Sequence, residues 1–177
     1  GNYTELPREA RPAMAGMVRK YLPEDWRLNA LSGPAMHTMS KDGYAGVTDY
    51  LDDIGASREE RRYIAENVAP SGLGDAQGRV KPDAIGPMHE WLQEVAPEDA
   101  DGIAGSVLGN LWSETVEARV GWVEGLLANG AGDEVLVGFL TGEHPIDDGA
   151  EARRLAGRIE DPARRAEVLD HLKGGGK

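Results

Sequence analysis

Three aspartates lie close together in the chain and are the carboxylates best spaced for joint chemistry: Asp49, Asp52 and Asp53. Asp49 and Asp53 are four residues apart, so on a helix they share one face and could hold a cation or a basic side chain. Acid–base catalysis would require one of them to be buried with a raised pKa. The pattern favours a solvated helix face with arginine or lysine nearby, and we retain the three residues as a candidate acidic surface.

Other reactive residue types are scarce or widely spaced. The chain has no cysteine, which excludes disulfides, thiolate nucleophiles and cysteine-ligated metals. No two of its histidines are three or four residues apart: His37, His89, His144 and His171. The glycines between 72 and 78 lack nucleotide-binding spacing, and the Asp-Gly turns at 75–78 and 99–102 lack the other ligands of a calcium loop. We therefore predict no cofactor, no metal site and no catalytic residue.

Two tryptophans and an inserted loop are the candidate partner-binding features. Trp26 and Trp112 fall outside the recurring apolar positions described below, and tryptophan is enriched at protein interfaces. Residues 70–83 are rich in glycine and proline and form a predicted loop, a kind of segment that frequently carries function. We therefore predict that Trp26, Trp112, Leu73 and Arg79 contact a partner.

Charge is unevenly distributed along the chain. The net charge is −12, and residues 41–110 contain 14 acidic and 6 basic residues. An acidic segment disfavours nonspecific binding to nucleic acid or anionic membranes, because both depend on basic patches. It leaves open an acidic inhibitor or immunity-type protein that binds a basic partner through this segment.

The sequence also bears on location. We find no run of about 18 apolar residues that could span a membrane and no recognisable signal peptide. The chain opens with Gly1-Asn2 instead of methionine, so we expect that its native N-terminus is missing. These features predict a soluble bacterial protein of the cytoplasm or the periplasm.

The elements that must position these residues are helices. A pair of apolar residues four positions apart recurs every 31 to 41 residues, as expected of stacked helix–turn–helix units. The pairs are Met17/Tyr21, Tyr50/Ile54, Trp91/Val95, Trp122/Leu126 and Leu155/Ile159. Each pair is predicted to dock against a neighbouring helix, which would make Trp91 and Trp122 core residues.

Local signals divide the chain into about ten short helices. Ser57 followed by Glu60 is a capping-box pattern, and Asp148 and Asp161 are good N-cap residues. The predicted helices cover about 8–21, 24–38, 43–54, 58–68, 84–95, 98–111, 114–128, 133–141, 149–159 and 162–172.

Two further patterns predict contacts between helices. Gly105 and Gly109 are four residues apart, so they would let another helix approach closely. Arginine doublets at 61–62, 153–154 and 164–165 are expected to bridge to carboxylates of neighbouring helices, for example Glu160 or Asp161.

The chain resembles the α-helical hairpin repeat class, the tetratricopeptide and HEAT-like arrays. The resemblance covers residues 13–172 and rests on spacing, helix caps and the large anchor residue, as in Trp91-Leu-Gln-Glu-Val-Ala-Pro97. Glu94-Val95 and Gly125-Leu126 stand where the tetratricopeptide signature has Leu-Gly, so the resemblance is to the architecture. Such arrays generally act as protein-binding scaffolds, and this is the function that the resemblance implies.

These observations predict an all-α protein with about ten short helices stacked as antiparallel hairpins, either α-solenoid-like or an irregular helical bundle. We expect one domain over residues 1–172, with the inserted loop at 70–83 and a flexible tail at 173–177. The predicted function is noncatalytic binding of a protein or peptide, without nucleic acid or membrane. The alternatives are the acidic inhibitor described above and an all-α enzyme whose site is built from scattered acidic residues and histidines, in a deep pocket that holds a carboxylate with a strongly shifted pKa or His37.

Overall fold

The computed structural model describes residues 6–142 and 146–174. These residues form α-helices and no strand, so the all-α prediction is confirmed. None of the helices in this part of the chain is long and apolar enough to cross a lipid bilayer. The helices are α1 (Arg11–Tyr21), α2 (Glu24–Asp53), α3 (Arg58–Val68), α4 (Ile85–Val95), α5 (Ala100–Gly109), α6 (Val116–Ala128), α7 (Asp133–Leu140), α8 (Gly149–Ala156) and α9 (Pro162–Gly174).

The longest helix, α2, contains a break at the position where two helices were predicted. Gly43 has a φ of 67° and a ψ of −160°, a conformation that glycine adopts far more readily than other residues. The break divides α2 into two shorter helices, in agreement with the predicted segments 24–38 and 43–54. The predicted count of about ten helices is therefore close.

The chain groups into two compact units, whose boundary in the sequence lies between Gly72 and Leu73. Unit 1 contains α1 to α3, and unit 2 contains α4 to α9. The single domain expected over residues 1–172 stays a prediction. Of the expected tail, Lys173 and Gly174 belong to α9, and residues 175–177 lie outside the described residues.

The core of unit 1 forms between α2 and α3. Val47, Tyr50 and Leu51 of α2 are fully buried, as is Ile64 of α3. The hydroxyl of Tyr50 donates a 2.8 Å hydrogen bond to the carbonyl oxygen of Leu31. This bond crosses the break in α2 and ties the two halves of that helix together.

The start of α3 is the predicted capping box. The Glu60 N–H donates to Ser57 Oγ at 3.2 Å, and the Ser57 N–H donates to the Glu60 carboxylate at 2.9 Å. A capping box satisfies backbone donors that have no partner inside the helix. The first residue of α3 is therefore determined by a local pattern.

Unit 2 contains a very close crossing of α5 and α7. A Cβ atom on Gly105 would overlap the carbonyl oxygen of Val135, and one on Gly138 would overlap the carbonyl oxygen of Gly102. Any larger residue at these positions would push the helices apart. Gly109 also faces the backbone of α7, so the predicted close approach at Gly105 and Gly109 is confirmed.

Most of the recurring apolar pairs lie in the interior. Trp91 is 5% exposed, so its prediction as a core residue is confirmed. Trp122 is only half-buried, so the prediction of a fully buried core residue is wrong for Trp122, although Leu126, the other residue of that pair, is 3% exposed. Leu155 and Ile159 are fully buried. The interpretation of these pairs as a repeat stays a prediction.

Arginines link helices of unit 2, as the doublets predicted. Arg154 of α8 pairs with Glu124 of α6 at 2.9 Å, and Arg164 of α9 pairs with Glu134 of α7 at 2.6 Å. The prediction that the arginine doublets bridge neighbouring helices is confirmed, although the partners are not the suggested Glu160 and Asp161. Exposed pairs of this kind contribute at most about 1 kcal/mol each.

Candidate binding surface

The outward side of α1 is almost free of charge. Six residues of this helix are exposed, and they define the α1 face: Pro12, Ala13, Gly16, Met17, Lys20 and Tyr21. Met17 is 60% exposed and Tyr21 is 68% exposed. The prediction that this pair docks against a neighbouring helix as core is therefore wrong, because no described element of unit 1 covers it.

The inward side of α1 carries arginines beside the half-buried Met14 and Val18. The buried residue of this helix is Ala15. Arg19 donates from Nε to Glu60 Oε1 at 2.9 Å and from Nη2 to Glu60 Oε2 at 2.7 Å. It also donates to the carbonyl oxygen of Ile54 at 3.0 Å. Such bidentate pairs are among the stronger polar contacts in proteins, so a charged clamp attaches α1 to the start of α3.

A second group of ion pairs attaches the beginning of α1 and the turn just before it to α2. Arg8 pairs with Asp49 at 3.0 Å and with Asp53 at 2.8 Å, and Arg11 pairs with Asp53 at 3.0 Å. The hydrogen bond to Asp53 and, to a smaller extent, the one to Asp49 raise the pKa of Arg8 above its ordinary value. The guanidinium of Arg11 lies 5.6 Å from the ring centre of Tyr50. The basic side chains expected beside this aspartate pair are thus supplied by the chain itself.

The third aspartate of the candidate acidic surface is also paired. Asp52 Oδ1 accepts a 2.7 Å hydrogen bond from Nη2 of Arg61 in α3. Asp49, Asp52 and Asp53 therefore all form ion pairs inside unit 1. Their negative charge is partly neutralised before any external partner arrives.

Three carboxyl groups among the described residues have shifted pKa values, and each shift is downward. The hydrogen bonds from Arg19 lower the pKa of Glu60. Backbone N–H donors lower the pKa of Asp75, and a neighbouring arginine lowers the pKa of Glu151. A general acid at neutral pH requires a raised pKa, so these three carboxylates are poorly suited to that role.

The first part of α2 also exposes large apolar side chains, next to the exposed carboxylates of Glu24 and Asp25. Trp26, in the first turn of this helix, is 68% exposed. Residues 28–40 contain no Asp, Glu, Lys or Arg, although 28% of the whole chain is charged. Met36 within this stretch is 39% exposed. The predicted contact residue Trp26 is therefore accessible to a partner, five residues after Tyr21.

A cleft of about 350 Å³ opens beside the turn between α1 and α2. Part of its polar wall already has structural partners, namely the Arg19–Glu60 clamp and Arg27, whose Nε donates to the carbonyl oxygen of Leu22 at 2.9 Å. The cleft is lined by Arg19, Glu24, Arg27, Leu28, Gly55, Ser57, Glu59 and Glu60.

In unit 2 the predicted contact residues have different surroundings. Trp112 is 75% exposed in the turn between α5 and α6. Leu73 is 1% exposed, so its side chain packs in the core. The prediction that Leu73 contacts a partner is therefore wrong. Arg79 is exposed but pairs with Asp75 at 3.0 Å.

The predicted loop at 70–83 contains a short hairpin-like turn in unit 2. Gly74 and Val80 form an isolated antiparallel bridge. One oxygen of Asp75 accepts hydrogen bonds of 2.9 Å from the backbone N–H groups of Gln77 and Arg79. The carboxylate of Asp75 therefore stabilises the turn.

Unit 2 also holds a partly buried pair that the sequence spacing did not reveal. His89 Nε2 lies 2.6 Å from Asp101 Oδ1, and the other Asp101 oxygen accepts from the Gly132 N–H at 2.7 Å. The two residues are twelve positions apart on different helices, so no local pattern marks them. His37 is exposed, and His144 lies outside the described residues. Within 6–142 and 146–174, no three His, Asp or Glu side chains come together to hold a metal ion.

A second cleft, of about 510 Å³, lies in unit 2 near the end of α6 and the start of α7. Asp133 in its wall accepts hydrogen bonds from the backbone N–H groups of Glu160 and Asp161, at 2.7 and 3.0 Å. The carboxylate therefore supports the start of α9. The lining residues are Leu127, Ala131, Gly132, Asp133, Leu136, Arg158 and Glu160.

No protein family, curated protein or solved structure matches this chain. The interpretation of its function therefore rests on the surface that the helices present. On that surface, the combination of the α1 face with Trp26 stands out, because large apolar side chains are exposed where charged ones are usual.

Proposed function

We propose that this chain is a noncatalytic protein-binding module, and that the α1 face together with Trp26 is its binding surface. The observation that carries the proposal is that α1 exposes two large apolar side chains while two of its arginines are directed inward. Its arginines point inward to carboxylates of α2 and α3, and Met17 and Tyr21 point outward. A surface helix normally buries its apolar stripe and exposes its charges.

The size of the exposed side chains supports a binding role. Tyr21 and Trp26 are each 68% exposed. Because a fully buried aromatic side chain covers about 150–250 Å², these two alone leave on the order of 300 Å² available for a partner. Exposed tyrosine and tryptophan are also the residues that contribute most at protein interfaces.

The candidate acidic surface supports the same proposal, because its aspartates are already paired with arginines of the same unit. The three aspartates of the candidate acidic surface pair with Arg8, Arg11 and Arg61. An inhibitor that relied on these aspartates would have to compete with arginines of its own chain. The apolar surface has no such internal competitor among the described residues.

Photo-crosslinking tests the proposed function. A benzoylphenylalanine placed at Met17 or Tyr21 is expected to crosslink a cellular partner in a lysate of the native organism. The matched control is the same group at Arg62, an exposed position on the outward side of α3. Crosslinks from position 62 alone, or from none of the three positions, would contradict the proposal.

Salt dependence separates the proposal from the acidic inhibitor. Binding through the α1 face should weaken by less than about tenfold when salt is raised, because most of the buried area is apolar and Lys20 is the one charged residue of the face. Binding of a basic partner to residues 41–110 should weaken steeply over the same range.

A further inference from the structure

We infer that the occupant of the α1 face is an amphipathic α-helix that carries a carboxylate opposite Lys20. The inference rests on the proposed function and specifies its partner. It follows from the spacing of the exposed residues, the open space at Gly16, the backbone of α1 and the charge of the face.

The exposed residues of α1 repeat with the period of a helix. Ala13, Met17 and Tyr21 are separated by four positions, and Gly16 and Lys20 form a parallel row. Two rows of this kind create a ridge and a groove into which the side chains of a second helix fit. From Ala13 to Tyr21 the surface is about 12 Å long, so a partner helix of about three turns would cover it.

Gly16 provides a notch in the middle of this surface. A Cβ atom added at Gly16 would meet no atom within 4 Å, so the space above its backbone is open. Met17 is the adjacent exposed residue, at 60% exposure. A partner side chain can enter the notch while Met17 packs beside it.

The same chain shows what small residues do at a helix crossing. In unit 2, Gly105 and Gly138 allow the backbones of α5 and α7 to touch. Ala13 and Gly16 give the outward side of α1 two small residues of the same kind, at helical spacing. This resemblance between the two surfaces favours a helix as the occupant.

The backbone of α1 offers nothing to an extended peptide. Recognition of a strand requires unpaired backbone N–H and C=O groups at a sheet edge, and the described residues of unit 1 contain no strand. The backbone groups inside a helix are already bonded to each other. Side chains must therefore supply the contacts, as they do when a helix occupies a groove.

Charge distinguishes the partner from a second copy of this chain. Lys20 is the one charged residue of the α1 face, and its Nζ lies 4.9 Å from the ring centre of Tyr21. Arg19 is directed to Glu60 and does not contribute to the face. The α1 face of a second copy would bring another lysine and no carboxylate, whereas an acidic helix complements Lys20.

A peptide panel tests the inference directly. The acidic probe is a 16-residue hydrocarbon-stapled helix with leucines at helical spacing and glutamates beside them. The basic probe has lysine in place of every glutamate, and the extended probe has the acidic composition with prolines that prevent a helix. Methyl-labelled methionine NMR reports binding, because the chain has only five methionines.

The acidic probe should shift the Met17 methyl signal and leave that of Met88, which is fully buried, unchanged. At about 50 mM salt it should bind roughly tenfold more tightly than the basic probe, and added salt should reduce this ratio. The variant K20E should reverse the preference without altering the fold. Met17→Glu should abolish any shift of the Met14 methyl signal, the other methionine of α1, with Arg62→Ala on the outward side of α3 as a control that leaves binding intact.

Several results would overturn the inference. These are equal binding of the acidic and basic probes, binding of the extended probe alone, no binding at all, or a K20E variant with unchanged preference. A Met17 signal that shifts with protein concentration, together with a dimer in sedimentation, would identify a second copy as the occupant. If positions 17 and 21 crosslink a cellular partner while the helical probes fail, this inference falls and the proposed function stands. If both fail, both are wrong.

Discussion

Helices α1 and α3 belong to the same unit and have the same length, yet the outward side of α3 is polar and that of α1 carries two large apolar side chains. The outward residues of α3 are all polar: Arg58, Glu59, Arg62, Glu66 and Asn67. Its inward residues include Ile64 and Val68, which are fully buried. In α1 the arginines face inward, and Met17 and Tyr21 face outward. The comparison shows that ion pairs can attach a helix to its neighbours, so that apolar side chains on its outward side remain accessible to a partner.

The largest effect is expected from removing an inward apolar residue of α3. Ile64→Ala should lower the free energy of unfolding by about 3 kcal/mol, because it deletes buried methyl groups and leaves a cavity. Urea unfolding followed by circular dichroism measures the change. An effect below about 1 kcal/mol would mean that α3, like α1, is not held by its apolar side.

A smaller loss is expected from opening the charged clamp of α1. Arg19→Ala should cost about 2 kcal/mol, since it removes two hydrogen bonds to a carboxylate that is only 11% exposed at its side chain. Arg62→Ala, on the outward side of α3, is the matched control and should change stability by less than about 0.5 kcal/mol. Equal effects of the two substitutions would show that the clamp does not hold α1.

The clamp should also make stability depend on pH. Arg19 lowers the pKa of Glu60 in the folded chain below its ordinary value of 4.5. The clamp therefore contributes fully above the unfolded pKa, and this contribution is lost as pH falls through the lower folded pKa. Between about pH 5 and pH 3 the wild type should lose more stability than Glu60→Gln. Parallel pH profiles for the two proteins would contradict this assignment.

The smallest effect on stability is expected on the α1 face. Replacing Met17 and Tyr21 together by serine should change the free energy of unfolding by less than about 0.5 kcal/mol, because both side chains are more than half exposed. The same variant should no longer bind the partner that crosslinking of the wild-type surface identifies. A loss of several kcal/mol would show instead that the pair is covered in solution, and the contrast between α1 and α3 would disappear.

Much of the fold could be predicted because it depends on neighbours in the sequence. Ser57 and Glu60 cap α3, Asp148 caps α8, and Gly43 breaks α2 near the predicted place. Each of these features involves residues within one helical turn. Local hydrogen bonding and backbone preference are sufficient to determine them.

The candidate site was predictable only in part. Trp26 could be proposed because it lies outside the apolar register, and it is exposed. Leu73 was assigned to the surface because it lies in a glycine-rich loop, yet it is buried. A loop residue can point into the core or away from it, and its composition does not distinguish the two.

The sequence by itself determined the all-α class, the helix starts and the close approach at Gly105, because these depend on residue type and on spacing along one helix. Only the tertiary structure decided that Met17 and Tyr21 are exposed while Tyr50 and Ile54, at the same spacing, are buried. The two pairs are alike as local patterns. Whether a pair is covered depends on which distant helix lies against it, and in α1 the arginine contacts to Glu60 and Asp53 turned the other side of the helix inward.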